Sequence, residues 1–328
     1  DVDASIDASS IEDDLLRLIF ICCHPVLSLD ARVTLTLRLL GGLRTDEIAR
    51  AFLTSEPTVQ QRIVRAKRTL AEAHVPFEVP TGAAFRDRLE SVLQVIYLVF
   101  NEGYSATAGE DWVRPSLCED ALRLGRILAT LVPEEPEVHG LVGLMEIQAS
   151  RMRARTDAEG RPVPLLEQQR GRWDHLLIGR GLAALDRAEA LVATQGRSSG
   201  SYALQAAIAA CHARARVPED TDWPRIVALY DALAQLQPSP IVELNRAVAV
   251  AMAYGPAAGL EIVDRLRDEP ALAGYHLLPA VRGDLLSRLD RNEEAAEELA
   301  RAAAMTRNIP ERALLLERAA GATRRSVR

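Results

Sequence analysis

Between residues 28 and 74 three helical patterns follow one another with almost no linker, and few folds accept that spacing. Ser28 can cap a helix whose apolar face is Val33, Leu37 and Leu40, and Gly41-Gly42 can end it. Thr45 can cap a second, short helix. Asp46 and Glu47 stand in its first turn, where the helix dipole favours acids, and Ile48, Ala49 and Phe52 form its inward face. Leu53-Thr54 supplies a turn. Ser55 then caps a third helix with Pro57 in the first turn, where no amide partner is lost.

The third helix carries the chemistry. Val59, Ile63, Ala66 and Leu70 are spaced four, three and four apart, which makes one buried stripe. The other faces hold Thr58, Gln60, Gln61, Arg62, Arg65, Lys67 and Arg68, and no acid interrupts them between Pro57 and Ala71. Amides near a helix start suit base edges in the major groove, and arginines further along suit phosphates. With a capped helix and a tight turn before it, the segment reads as a helix-turn-helix DNA reader, with Arg44 and Thr45 at the entry of the preceding helix as further contacts. A basic helix alone would be read as a solvated face.

The same residues closely resemble region 4 of the bacterial sigma factors, particularly the extracytoplasmic-function group. The resemblance rests on Leu37 to Leu43, Glu47-Ile48-Ala49, and the run Thr58-Val59-Gln60-Gln61-Arg62-Ile63-Val64-Arg65-Ala66-Lys67. It implies a module that reads the −35 promoter element and docks on the flap of the RNA polymerase β subunit. Response-regulator output domains share the helix order.

At 328 residues the chain is long enough for two or three domains, and 48% hydrophobic content is ample for their cores. Aromatics are only 4%, and Ala, Leu, Arg and Glu dominate, which favours an all-α fold. A net charge of −7 argues against coating nucleic acid along the whole length, but not against one local basic face. Lys67 is the one lysine, so nearly all positive charge is arginine. Cys22, Cys23, Cys118 and Cys211 form no CxxC pair, and read as buried thiols in a reducing cytoplasm rather than metal ligands. No cofactor is expected, no apolar run is long enough to span a bilayer, and no signal peptide is visible. Without a nucleophile elbow, a phosphate-cradling Gly-rich loop or an HExxH motif, nothing points to an enzyme.

Four stretches are expected: a flexible lead over 1–10, the helix-turn-helix domain over 11–75, a helical extension over 84–215, and a repeat region over 216–328. Helices are expected at about 11–23, 29–40, 45–52, 56–74, 84–102, 116–132, 137–153, 167–193 (with a break near Trp173 as the alternative) and 200–215. Gly103 reads as a turn closed by Asn101 and Glu102 under Tyr104, with a binding role for Asn101 and Glu102 as the alternative. From Trp223 onward, helices at about 223–236, 241–254, 259–268, 275–289, 292–306 and 310–320 are joined by short Pro- or Gly-bearing turns. The Ala257-Ala258-Gly259-Leu260 and Glu293-Glu294-Ala295-Ala296 segments recur near the tetratricopeptide spacing, so this part reads as a tetratricopeptide-like solenoid. Trp173 and Trp223 read as core anchors, and His212 and His276 as satisfied core histidines.

The extension resembles that of one sigma-factor group, often called ECF42. The residues that carry this are Tyr97 to Ser105, Trp173-Asp174, Leu204 to His212, Thr221-Asp222-Trp223, Pro238 to Val250 and Gly274 to Pro279. The family begins with region 2, which binds the polymerase clamp. Nothing before Ile11 has room for it and the sequence does not open on Met, so the chain reads as the region 4 and extension part of a sigma factor, not expected to initiate transcription as it stands. The resemblance implies promoter DNA and RNA polymerase core as partners, and contact between extension and sigma domains as a means of control. Two other functions compete: a helical scaffold whose basic helix binds a protein, and a sensor that holds a small ligand inside the solenoid.

Overall fold

Proline and glycine punctuation cuts the apolar periods of this sequence into helices, and the computed structural model has fifteen of them among the residues it describes, 8–52, 54–105, 108–109 and 113–326. The first four are α1 (Ala8–Cys22), α2 (Leu29–Leu39), α3 (Thr45–Ala51) and α4 (Glu56–Glu72). Next come α5 (Gly82–Tyr104), α6 (Pro115–Leu131), α7 (Pro136–Ala149), α8 (His175–Gln195) and α9 (Ser201–Arg214). The chain ends with α10 (Trp223–Leu236), α11 (Pro240–Tyr254), α12 (Pro256–Arg265), α13 (Leu277–Arg288), α14 (Asn292–Met305) and α15 (Ile309–Ser326). The all-α expectation holds.

Several boundaries differ from the sequence reading. α1 begins at Ala8, so residues 8–10 of the expected lead are helical, while residues 1–7 lie outside the described residues. The helix expected from 167 starts only at His175. Asp174 accepts from the Leu176 and Leu177 amides and caps it there, and two single 3-10 turns, Leu165–Glu167 and Arg170–Arg172, precede it. Gly103 is not a turn. α5 runs through it to Tyr104, and a Cβ there would sit 2.7 Å from the Cys118 amide nitrogen, so the glycine lets α6 begin against α5.

One core runs from Leu16 to Ala149 and joins the helix-turn-helix to the extension. Residues 73–81 turn the chain, and α5 then packs against α1 and α2. Leu89, Val92, Leu93, Val95 and Ile96 of α5 are buried in this core, and the Phe20 and Phe85 rings meet at 5.4 Å. Polar groups fix the seam. Arg32 donates to the Ser91 hydroxyl at 2.5 Å, Ser91 donates to the Cys23 carbonyl at 2.5 Å, and Arg123 donates to the Leu40 carbonyl at 2.7 Å.

α7 is the central helix of the extension, buried over most of its surface. α8 and α9 approach it where side chains are missing. A Cβ on Gly140 would stand 2.6 Å from the Ala203 nitrogen, and one on Gly181 would stand 2.6 Å from Ile147. α10 to α15 then pack each against its sequence neighbour around a second core from Ile208 to Ala322. The far end comes back to the start of the extension. β1 (Ala108–Gly109) pairs in parallel with β2 (Arg307–Asn308). Among the described residues no helix is long and apolar enough to cross a membrane.

Candidate nucleic-acid interface

The helix-turn-helix is set by three helix starts. Ser28 accepts from the Ala31 amide at the start of α2, and Gly42, with φ +75°, lets the chain leave it. At α3 the cap differs from expectation. The Ile48 amide bonds to the Arg44 carbonyl, and Glu47 reaches back to the Arg44 amide at 2.7 Å, so Arg44 is the cap position and Thr45 the first helical residue. The Thr45 hydroxyl instead donates to Glu56 of α4 at 2.8 Å, and Glu56 also accepts from the Gln60 side-chain Nε2. Thr54 bonds back to the Ala49 carbonyl at 2.9 Å, which tightens the turn; its other expected residue, Leu53, lies outside the described residues. Ser55 accepts from the Thr58 amide at the start of α4, as its sequence position required.

α4 lies on α2 and α3 with Val59 and Ala66 buried and Ile63 and Leu70 packed against the core, which is the expected stripe. Gln60, Gln61, Arg65, Lys67 and Arg68 are exposed, and Thr58 and Arg62 are half-buried. These residues are not equally free to meet a partner. Arg62 pairs with Asp30 of α2 at 3.0 Å and so braces the helix. Arg68 lies 3.5 Å from Glu72, and Arg44 is held by Asp46 at 2.9 Å. Gln60 and Thr58 are tied to the helix start by Glu56 and Ser55. Gln61, Arg65 and Lys67 carry no such tie among the described residues, so they are the most available polar groups on the face.

Sequence reasoning passed over Val64. It lies outside the buried stripe and is 66% exposed, amid Gln60, Gln61, Lys67 and Arg68 at helical spacing. An apolar side chain in a polar face was the available signal. Such a group can meet a thymine methyl in a major groove. The four cysteines are buried and free, and burial pushes the Cys23 thiol up to about 11, which makes it inert at neutral pH.

Residues 17–70 match the family model described as Sigma-70, region 4, which covers α2, α3 and most of α4. Residues 88–189 match a family of unknown function, DUF6596. An uncharacterized protein of Rhizobium meliloti (strain 1021), R00370, is 46% identical over 310 residues, covering 94% of this chain and 72% of the relative. No solved structure matches the chain. The helix-turn-helix geometry and the family match agree that residues 17–70 are a sigma-70 region 4 domain, and the long alignment places the whole chain in one family with the Rhizobium protein.

Proposed function

We propose that the chain is the part of a sigma factor that reads the −35 element of a promoter through the exposed face of α4 and docks on the β flap of RNA polymerase, and so serves transcription initiation within the whole factor. The observation that carries this reading is the face itself. Gln61, Val64, Arg65 and Lys67 stand exposed on a helix that a capped start and a brace to Asp30 hold in one orientation, inside a region 4 match. Gln61 and Val64 would meet base edges, Arg65, Lys67 and Arg68 phosphates. Arg44 and Thr45, with their side chains engaged by acids, would position the backbone against DNA rather than read it.

The extension, which we read as tetratricopeptide-like and regulatory, would act by contacting the sigma core or polymerase, with residues 238–250 and 274–279 offering the surface. It carries no catalytic role in this reading, and the protein works in the cytoplasm. Selection of duplexes from a random pool by the full chain tests the proposal. A recovered consensus whose binding weakens in Arg65→Ala and Lys67→Ala supports it. Recovery of no consensus, or one bound equally by both variants, would contradict it.

A further inference from the structure

Four segments that the helix-turn-helix does not absorb meet at one point in the extension. Tyr104 ends α5, Arg151 follows α7, Arg170 and Trp173 precede α8, and His212 lies near the end of α9. The Arg151 guanidinium stands 5.7 Å from the Tyr104 ring centre and 5.9 Å from that of Trp173. The Arg170 guanidinium stands 4.9 Å from the same Trp173 ring and donates to the Ala215 carbonyl at 2.7 Å and to that of His212. Arg155 lies 3.8 Å over the other aromatic, Tyr104.

These groups are buried and poorly matched. Trp173 is 4% exposed, His212 8% and Arg151 9%, yet the Trp173 indole nitrogen, His212 Nδ1 and Arg151 Nε have no hydrogen-bond partner among the described residues. Native interiors pair such groups, and each exception needs a cause. Arg170 has one, because it closes the carbonyl end of α9. Arg151 has none. The end of α7 is already closed by its own chain: Ser150 bonds the Glu146 and Ile147 carbonyls and the Arg151 amide bonds that of Gln148. No carboxylate pairs with Arg151 among the described residues. Facing aromatic rings attract a guanidinium without neutralising it. A water molecule could satisfy the indole and imidazole nitrogens, but would leave the guanidinium without a counter-charge. His212 adds no second positive charge. Burial, with Arg151 and Arg170 beside it, holds its pKa at about 4, so the ring is neutral at neutral pH.

The geometry points to a binding site for a small oxyanion, the carboxylate or phosphate group of a metabolite, held between Arg151 and the Trp173 indole N–H with the neutral His212 ring beside them. The ligand would supply the missing negative charge to a site the fold has largely enclosed, and would tie together the ends of α5, α7 and α9.

Isothermal titration calorimetry of the full chain at constant ionic strength tests this, with inorganic phosphate in one arm and succinate in the other. One equivalent bound in at least one arm is expected, and the arm that binds names the ligand class. Arg151→Met keeps the stem and removes the charge, and should weaken binding about tenfold or more, the usual worth of a charged hydrogen bond. Trp173→Phe keeps a ring and removes only the N–H, and should weaken it about threefold or more. Arg180→Ala, exposed on α8, should bind as the parent does. No saturable binding in either arm overturns the proposal. So does parent-like binding by Trp173→Phe or by a folded Arg151→Met; if Arg151→Met fails to fold, Trp173→Phe decides.

Discussion

Replacing Ser91 by alanine removes one oxygen from the seam between the helix-turn-helix and the extension, and its cost can be worked from the contacts. Ser91 is 7% exposed, donates to the Cys23 carbonyl at 2.5 Å and accepts from Arg32 at 2.5 Å. Without the hydroxyl the Cys23 carbonyl loses the one side-chain donor that reaches it across the seam. A buried carbonyl left unmatched costs about 1–3 kcal/mol. Arg32 is only half-buried, so water can recover part of its lost bond. The net loss should be about 2 kcal/mol, against less than about 0.5 for Ser198→Ala on the exposed surface. Urea unfolding followed by circular dichroism and by tryptophan fluorescence reads it. Trp112, Trp173 and Trp223 all lie in the extension, so fluorescence sees that part alone. Because one core joins the two parts, both signals should shift together to lower urea. A fluorescence transition that stays put while dichroism moves would refute a shared core.

Other outcomes follow from packing and burial. Gly140→Ala should destabilise by about 1–3 kcal/mol, because the new Cβ would stand 2.6 Å from the Ala203 backbone nitrogen; Gly179→Ala, in open space on α8, should stabilise by about 0.4–1 kcal/mol, and urea midpoints compare them. His212 should make stability fall as pH drops. Its folded pKa of about 4 lies below the ordinary 6.5, so the unfolded chain binds the extra proton between those values. The loss is on the order of 3 kcal/mol by pH 4 and absent above about pH 7. Denaturation at pH 5 and 7.5 should show a smaller difference in His212→Gln than in the parent.

Most helices were legible because this sequence punctuates them. Ser28, Ser55 and Asp222 cap, Pro240 and Pro57 open, Gly196 and Gly255 close, and between them apolar residues keep a helical period. What misled or stayed hidden depends on residues far apart in the chain. Thr45 looked like a cap, but Glu56, eleven residues on, takes its hydroxyl, and Glu47 serves the Arg44 amide instead. Gly103 looked like a turn because its partner, Cys118, arrives only when α6 folds back. The pairing of Ala108 with Arg307 has no local signature in strands two residues long. His212 was expected to be satisfied, and its Nδ1, unmatched among the described residues, appears only once Arg151, Arg170 and Trp173 gather from two other segments. On α4 the buried stripe was readable residue by residue, whereas the division of its polar face into braced and available side chains needed Asp30, Glu56 and Glu72 in place.

The central claim, that α4 reads promoter DNA, is tested most directly by fluorescence anisotropy on a selected duplex and a scrambled one across a salt series. Arg65→Ala should weaken binding to both duplexes and lower the salt slope by about 1 phosphate contact. Gln61→Ala should weaken the selected duplex by about 1–3 kcal/mol and leave the scrambled one unchanged. If both variants bind both duplexes as the parent does, with the parent's salt slope, α4 is not the reader.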